Sequence, residues 1–285
     1  MDDFSSIHAD SRALAHLIDI FLFKGAPKNT DSNHPVQILV NHGYAVGYAP
    51  SRLQPLWSAY RVAKADNTAD FDRPHLYYAD TRLPDTERLD NSTFGSLNGV
   101  SYDVGHMVPN EVINVQFGRL AQMETFFMSN MCPQARGLNR GAWLRLENAI
   151  RDIEDMPGQR DHVWAIVGPV FGDNPALITR SDGKQVPIAD AFFCITIDPH
   201  RYPWDRPGNQ TIACFMIPQD VAAGAPLTDF LVDLEDVEAA TGLRFMPGWQ
   251  SAPRTVLRAP GVGGRTAAPP PAPNRLLAAL ARETG

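Results

Sequence analysis

The chain of 285 residues has a formal net charge of −7, with 44% hydrophobic and 20% charged residues. This is the composition of a folded globular protein with room for one large domain or two small ones. The negative charge argues against a protein that attracts nucleic acid over its whole surface, so any affinity for phosphate must come from a local patch. Five arginines lie close enough in sequence to form one: Arg136, Arg140, Arg145, Arg151 and Arg160.

The N-terminus and the cysteines bear on the compartment. The N-terminus is acidic and lacks the basic region that opens a signal peptide. The mostly apolar run 13–23 is too short to span a bilayer and contains His16 and Asp19. The three cysteines give no disulfide framework and indicate buried free thiols in a reducing compartment. We therefore predict a cytoplasmic protein that makes no contact with a membrane.

Three parts are predicted along the chain: an appended helix and loop over residues 1–35, a main domain over 36–250, and a mobile Pro/Ala-rich tail over 251–285. In the first part, apolar residues recur at helical spacing: Leu14, Leu17, Ile18, Phe21 and Leu22. We prefer a helix that packs onto the main domain. The alternative is a helix that docks a regulatory partner or a second copy in a homodimer.

The main domain opens with strands and continues through a polar, loop-rich stretch. A hairpin is predicted over 36–40 and 44–48, and an alternating strand over 56–62. Residues 63–100 are polar and loop-rich. Buried strands follow over 163–171, 186–197 and 211–217, and a helix over 231–242 ends at Gly242. A short helix is predicted again within the tail, over 274–282.

Three blocks of polar residues carry the chemistry. They read Asp-Val-Gly-His-x-x-Pro over 103–109, Ser-Asn-x-x-Pro-Gln over 129–134 and Asn-Arg-Gly-x-Trp-x-x-Leu-Glu over 139–147. A neutral histidine can take a proton from water near neutral pH. Asparagine and glutamate oxygens suit a hard, hydrated Mg²⁺ ion, and arginine forks hold phosphate oxygens. This set of residues suits the hydrolysis of phosphodiester bonds.

The helix predicted after Asn139 has two distinct faces. At 100° per residue, Arg140, Glu147 and Arg151 fall on one line. The opposite face is apolar: Ala142, Leu146, Ala149, Ile150 and Ile153. We expect the apolar face to pack on the sheet and the polar line to border the site. The alternative is that Glu147 and Arg151 form an ordinary ion pair on the protein surface. The alignment of Glu147 with Asn139 favours a role at the site.

The three blocks resemble the DNA/RNA non-specific endonuclease family of ββα-metal (His-Me finger) nucleases, which includes endonuclease G. That family's first block reads Asp-Arg-Gly-His-x-x-Pro; this chain matches the second and third blocks throughout but has Val104 in place of the arginine. The resemblance covers residues 36–250. It implies an α+β fold, in which a central, mostly antiparallel sheet is flanked by helices and residues 100–153 form a ββα-metal motif.

The resemblance also implies roles for the polar residues. His106 is the expected general base, supported by Asp103. Asn139 is the expected metal ligand, with an N-cap role as the alternative, and Glu147 holds a metal-bound water. Further roles beside the metal and the scissile phosphate fall to Asn130, Gln134 and Arg151, and substrate binding falls to Arg73, Arg136 and Arg140.

The predicted function is Mg²⁺-dependent endonuclease cleavage of DNA, RNA or both with little sequence specificity, with Mn²⁺ as an alternative cofactor. A role as a defence or toxin effector is a further hypothesis. Val104 removes one expected phosphate contact, which Arg82 or Arg136 would have to supply. Val104 and the negative charge favour a second hypothesis, a catalytically weakened nucleic-acid-binding or interaction protein on the same fold. A third is a phosphodiesterase or phosphatase acting on small molecules.

Overall fold

The computed structural model describes residues 18–63, 71–90, 93–153, 162–199, 206, 209–249, 256–257, 274–276 and 279–280. The main strands are β2 (Gln37–Val40), β3 (Tyr44–Ala49), β4 (Gln54–Val62), β8 (Val163–Val170), β11 (Ala191–Pro199) and β12 (Gln210–Pro218). Shorter strands are β1 (Lys28–Asn29), β5 (Gly95–Leu97), β6 (Val100–His106), β7 (Met131–Ala135), β9 (Leu177–Thr179), β10 (Gln185–Pro187), β13 (Leu231–Val232), β14 (Leu243–Arg244) and β15 (Val256–Leu257). The helices are α1 (Asn110–Glu124), α2 (Arg136–Asn139), α3 (Ala142–Asp152) and α4 (Leu234–Thr241).

One large sheet organises the molecule. Its strand order is β13-β12-β11-β8-β4-β3-β2, and β15 pairs with β12 beside it. The neighbours along this path are antiparallel, and β15 is parallel to β12. This confirms the predicted α+β fold with a central, mostly antiparallel sheet.

Both faces of this sheet are buried, which explains why its strands are almost continuously apolar. In β11, Phe192 and Cys194 belong to the core on one face, here called the first core. Phe193 and Ile195 belong to the core on the other face, the second core. Successive side chains of a strand point to opposite faces, so each strand contributes to both cores. The first core also contains the apolar face of α3, which packs on the sheet as predicted.

Two of the predicted elements are divided. The single strand expected over 186–197 is two strands, because β10 pairs with β9 and only β11 joins the large sheet. Strand β10 ends at Pro187. The helix expected over 231–242 begins only at Leu234, because Leu231–Val232 pair with β12. It ends at Gly242, whose φ of 67° suits glycine.

The segment before residue 36 contributes to the second core. Phe21, Leu22 and Phe23 are buried there, and the ring of Phe23 lies 5.0 Å from that of Trp164. Strand β1 pairs with β14. For the residues from Ile18 onward this is the packing that we preferred; Leu14 and Leu17 lie outside the described residues.

The described residues of the tail also pack onto the sheet. Leu276 and Leu280 are buried in the first core, and the Nε atom of Arg275 lies 2.8 Å from the buried Asp198 carboxylate. For these residues the predicted mobility is wrong, because they combine apolar burial with an ion pair. The division of the chain at residues 35 and 250 stays a prediction.

No helix among the described residues has both the length and the apolar character needed to cross a bilayer.

Candidate active site

A separate three-stranded sheet, β5-β6-β7, carries the first two sequence blocks. Strands β6 and β7 are antiparallel, with Asp103 opposite Gln134 and His106 opposite Met131. Helices α2 and α3 follow β7 directly. Two strands and a helix therefore bring the end of β6 and the end of α2 to one cleft of about 650 Å³.

The cleft gathers most of the predicted site residues. It is lined by His106, Asn139, Glu147 and four arginines, together with Asp103 and Val104. The four arginines are Arg73, Arg136, Arg140 and Arg151. Two of the predicted residues, Asn130 and Gln134, are not among the residues that line it. The helical line Arg140, Glu147 and Arg151 borders the site as expected, although Arg140 precedes α3.

His106 ends β6 and is buried among aromatic rings. Its ring lies 4.8 Å from that of Phe126, edge to face, and 6.0 Å from that of Tyr77. Burial, and then the charge of Arg73, lower the pKa of His106 to about 3. Its Nε2 atom makes no hydrogen bond to any described residue. At neutral pH the cleft thus holds an uncharged imidazole that can accept a proton.

Gly105 leaves room for a buried side chain of the neighbouring strand β7. A Cβ atom on Gly105 would lie 2.1 Å from the Oε1 atom of Gln134, a separation that atoms do not tolerate. Gln134 is fully buried, so its side chain fills space under β6 and does not reach the cleft. The prediction that it lies beside the scissile phosphate is therefore corrected to a packing role.

Asn130 also has a structural place. Its Oδ1 atom accepts a hydrogen bond from the N–H of Val108 at 3.0 Å, and its Nδ2 atom donates to the carbonyls of Val108 and Thr125 at 3.1 and 3.0 Å. With both ends of its amide occupied and no exposed surface, Asn130 has no group left for the reaction. We correct its predicted catalytic role: it fixes the backbone just after His106.

Asp103 and Asn139 are joined by a hydrogen bond. The Nδ2 atom of Asn139 donates to Oδ2 of Asp103 at 3.1 Å, so the amide oxygen of Asn139 is left for another partner. Burial favours the neutral form of Asp103, but bonds from Arg140 and Asn139 outweigh it and hold its pKa below the ordinary value. Asn139 is the last residue of α2, and the N-cap of α3 is Gly141, which rules out the alternative N-cap role for Asn139.

Glu147 faces the same cleft from α3. Burial raises the pKa of Glu147 to about 8, and the neighbouring Arg73 opposes this rise. A carboxyl group so placed stays partly protonated at neutral pH unless a cation stabilises its charge.

The cleft arginines differ in what they contact. Arg140 donates to both carboxylate oxygens of Asp103, at 2.8 and 3.1 Å, and the Nε atom of Arg136 lies 3.5 Å from that carboxylate. Arg151 pairs with Glu111 at 2.9 Å. The guanidinium of Arg73 lies over the Phe126 ring, 5.2 Å from its centre. Arg160 lies outside the described residues, and Arg145 donates to the carbonyl of Ala225 away from the cleft.

Arg82 cannot replace the missing arginine at position 104. It holds both carboxylate oxygens of the buried Asp80, at 2.8 and 2.6 Å, and donates to the carbonyl of Val40 at 2.8 Å. Ser129 donates to the same Asp80 carboxylate at 2.6 Å. This buried network ties the second sequence block to the central sheet, and it has no part in the cleft.

Val104 lines the cleft but also belongs to an apolar cluster, where it is 9% exposed. Its neighbours there are apolar: Leu89, Phe94, Met128, Met131, Ile178, Val186 and Ile188. A charged side chain at this position would have to leave the cluster or be buried without a partner.

The model of the DNA/RNA non-specific endonuclease family matches residues 25–252, most of the chain. The chain belongs to this family. It is 27% identical to human "Nuclease EXOG, mitochondrial" over 72% of the chain and 55% of that protein. It is 30% identical to "Nuclease C1" of Cunninghamella echinulata var. echinulata over 73% of the chain and 81% of that protein. It therefore spans only about half the length of human EXOG and four fifths of Nuclease C1.

Other comparisons agree on the fold and bear on the compartment. A crystal structure of an EndoG/EndoGI complex superposes with a TM-score of 0.65 at 22% identity, over 87% of this chain and 96% of that one. Human "Endonuclease G, mitochondrial" is 27% identical over 74% of this chain and 70% of that protein. The predicted cytoplasmic location is wrong: similar family members from human and Schizosaccharomyces pombe are named as mitochondrial.

Membership of this family of metal-dependent nucleases implies a divalent metal ion. The described residues contain no group of three His, Cys, Asp or Glu side chains that could hold one. The cleft offers instead the free amide oxygen of Asn139 and the carboxylate of Glu147. Hard oxygen donors in small number suit an ion that keeps several of its waters, so these residues fit the metal.

The raised pKa of Glu147 predicts a stability that depends on pH in EDTA. As pH rises from about 4.5 to about 8, the unfolded chain ionises Glu147 freely while the folded protein resists, so the wild type loses stability. Glu147→Gln removes this loss. The free energy of unfolding, measured with urea, should therefore change in favour of the variant. Between pH 5 and pH 8 the difference between Glu147→Gln and the wild type should grow by on the order of 2–4 kcal/mol.

The exposed Glu235 provides the control, because Glu235→Gln removes the same charge from a solvated position on α4. Its stability should run parallel to that of the wild type across this pH range. If the free energy of unfolding of Glu147→Gln changed with pH as that of the wild type does, the fold would not resist the ionisation of Glu147.

Proposed function

We propose that this protein is a Mg²⁺-dependent endonuclease that hydrolyses phosphodiester bonds of DNA and RNA with little sequence specificity. One observation carries the proposal: a neutral histidine and an asparagine with a free amide oxygen line one cleft with four arginines. A base, a place for a metal ion and cations for phosphate are the parts that phosphodiester hydrolysis needs.

His106 is the proposed general base. Its imidazole takes a proton from the water that attacks phosphorus, while the ring is held by Phe126 and Tyr77. In the free protein its pKa of about 3 makes it a weak base. Burial is the larger cause of this low pKa and the charge of Arg73 the smaller. A phosphodiester anion bound beside Arg73 offsets the smaller cause, so the histidine becomes a somewhat stronger base when substrate is present.

Asn139 and Glu147 are the proposed holders of the Mg²⁺ ion, with Mn²⁺ as an alternative. The ion would supply positive charge against the phosphate and the leaving oxygen. Asp103 positions Asn139 by accepting a hydrogen bond from its Nδ2 atom, which fixes which end of the amide is available. Arg73, Arg136, Arg140 and Arg151 are the proposed phosphate contacts.

Little sequence specificity follows from the character of these contacts. Arginines and a metal ion address phosphates, which are the same in every sequence and in both nucleic acids. A role as a defence or toxin effector stays a hypothesis that the sequence suggests.

A catalytically weakened binding protein is the second candidate, favoured by Val104 and the net charge of −7. Incubating plasmid DNA and RNA with Mg²⁺, and then with EDTA, separates the two candidates. The endonuclease degrades both substrates until EDTA is added, whereas the binding protein retards them without cutting. Release of phosphate from small phosphodiesters alone would point to the small-molecule hydrolase.

Loss of His106 should abolish cleavage. His106→Ala should reduce the rate by about 10²–10⁴-fold, the usual cost of losing a general base. Plasmid nicking measures the rate, and circular dichroism measures the folded fraction. His75→Ala, at an exposed histidine outside the cleft, serves as the control and should retain full activity. Near wild-type cleavage by His106→Ala would overturn the assignment.

Loss of Asn139 should weaken the binding of Mg²⁺ itself. Calorimetric titration with Mg²⁺ alone needs no turnover and reports the site directly. We expect Asn139→Ala to bind at least tenfold more weakly, since changes around metal ligands typically cost about 10- to 100-fold in affinity. Unchanged Mg²⁺ binding by Asn139→Ala would show that the ion is held elsewhere.

Val104→Arg should not improve the enzyme. The side chain would enter an apolar cluster, so stability should fall by about 1–3 kcal/mol and cleavage should stay flat or fall. Arg136→Ala should reduce cleavage per folded molecule, whereas Arg82→Ala should mainly lower the melting temperature because Arg82 serves the Asp80 network. A gain of about tenfold or more in Val104→Arg, the size of one charge-assisted phosphate contact, would contradict this prediction.

A further inference from the structure

The arginines of the cleft are mostly paired before any substrate arrives. Arg136 and Arg140 share the carboxylate of Asp103, and Arg151 contacts both Glu111 and Asp152. Among the described residues, Arg73 is the cleft arginine that forms no ion pair with a carboxylate. Three of the four cations that should hold phosphate therefore already contact a carboxylate.

Glu111 is the carboxylate whose position calls for an explanation. It lies in the first turn of α1, lines the cleft and is 63% exposed, and its Oε2 atom is 2.9 Å from Nη1 of Arg151. Its charge is close enough to Glu147 to oppose the ionisation of that carboxyl group as well. A negative charge at this place repels a polyanion and occupies one of its partners.

A purely structural reason exists, because an acidic residue in the first turn stabilises a helix through its dipole. That reason accounts for a carboxylate near the N-terminus of α1. It does not account for a carboxylate that reaches across the cleft to an arginine of α3, where a phosphate would otherwise bind.

We propose that Glu111 is a residue that limits substrate binding, because its carboxylate holds Arg151 in the free protein in place of a substrate phosphate. Nucleic acid must displace Glu111 to gain this contact, so Glu111 limits the affinity of the cleft for polyanions. The inference rests on the proposed function, namely that the cleft takes nucleic acid.

Binding to a fluorescein-labelled single-stranded DNA in the His106→Ala background tests this without cleavage. At about 0.1 M salt, Glu111→Gln should bind about three- to tenfold more tightly, the size expected for removing one exposed ion pair and one repulsion. Asp152→Asn is the matched control: it removes the same charge and another partner of Arg151, but Asp152 does not line the cleft. Its Kd should stay within about twofold of the parent.

The salt dependence gives a readout that a structural role would not change. In the parent, phosphate merely replaces Glu111 on Arg151, so this contact releases no net counterion. In Glu111→Gln the contact should steepen the slope of log K against log salt by about 0.7, the value per phosphate for a single strand. In an Arg151→Ala background, Glu111→Gln should leave this slope unchanged, because the arginine that would take the phosphate is gone.

Three results would overturn the proposal: an unchanged Kd in Glu111→Gln, an equal gain in Asp152→Asn, or a steeper salt dependence that survives in Arg151→Ala. The parallel cleavage assay keeps the two claims apart. If the protein carrying His106 cuts nothing while Glu111→Gln still binds more tightly, the proposed function fails and the inference stands. If it cuts while Glu111→Gln is unchanged, the inference fails alone.

Discussion

The site depends on the hydrogen bonds that the carboxylate of Asp103 accepts. Asp103 lies on β6 and accepts hydrogen bonds from Asn139 and Arg140, so it joins the strand that ends in His106 to the helices that follow β7. Strand β6 and helix α2 belong to sequence blocks more than thirty residues apart, and this group fixes their relative position. A charge-assisted bond is roughly twice as strong as a neutral one, which suits a contact that must hold geometry.

Beneath this contact, a second layer of polar groups supports the site without facing it. Asn130 fixes the backbone after His106, and Ser129 joins the Asp80–Arg82 pair, which reaches the central sheet through Val40. Catalytic side chains need such support, because small displacements of a base or a metal ligand reduce the rate steeply. The second sequence block is therefore a scaffold for the first and third.

Four arginines of this protein meet at one cleft, although the chain as a whole is acidic. Most of them are balanced by nearby carboxylates, so the free cleft does not accumulate a large positive field. If the cleft takes a polyanion, as proposed, binding is an exchange of partners, which lowers the affinity.

Much of this could be read from the sequence, and the exceptions have physical causes. The helical face of α3 and the strands of the hairpin β2–β3 follow directly from periodicity, which is a local property. The family resemblance of the motifs predicted that His106, Asn139 and Glu147 share one site, and all three line the cleft. It could not tell which residues face the cleft and which support it. Asn130 and Gln134 look like site residues in sequence, and only tertiary packing shows that their amides are buried. Nothing in the sequence indicated a role for Glu111. Its partner Arg151 is distant in sequence, and the two residues meet only when the fold brings α1 and α3 together.

The way the two ends of the described chain cover the central sheet has a consequence for how the protein folds. Trp164 donates to the carbonyl of Ile20 across 144 positions of sequence, and Arg275 reaches Asp198 across 77. Contacts of such separation form slowly, because a long loop must close before any apolar burial rewards it. Until both segments arrive, each face of the sheet is partly open and its apolar strands are exposed to other chains. Folding should therefore be slow and prone to aggregation at high concentration, even though the finished protein buries both faces.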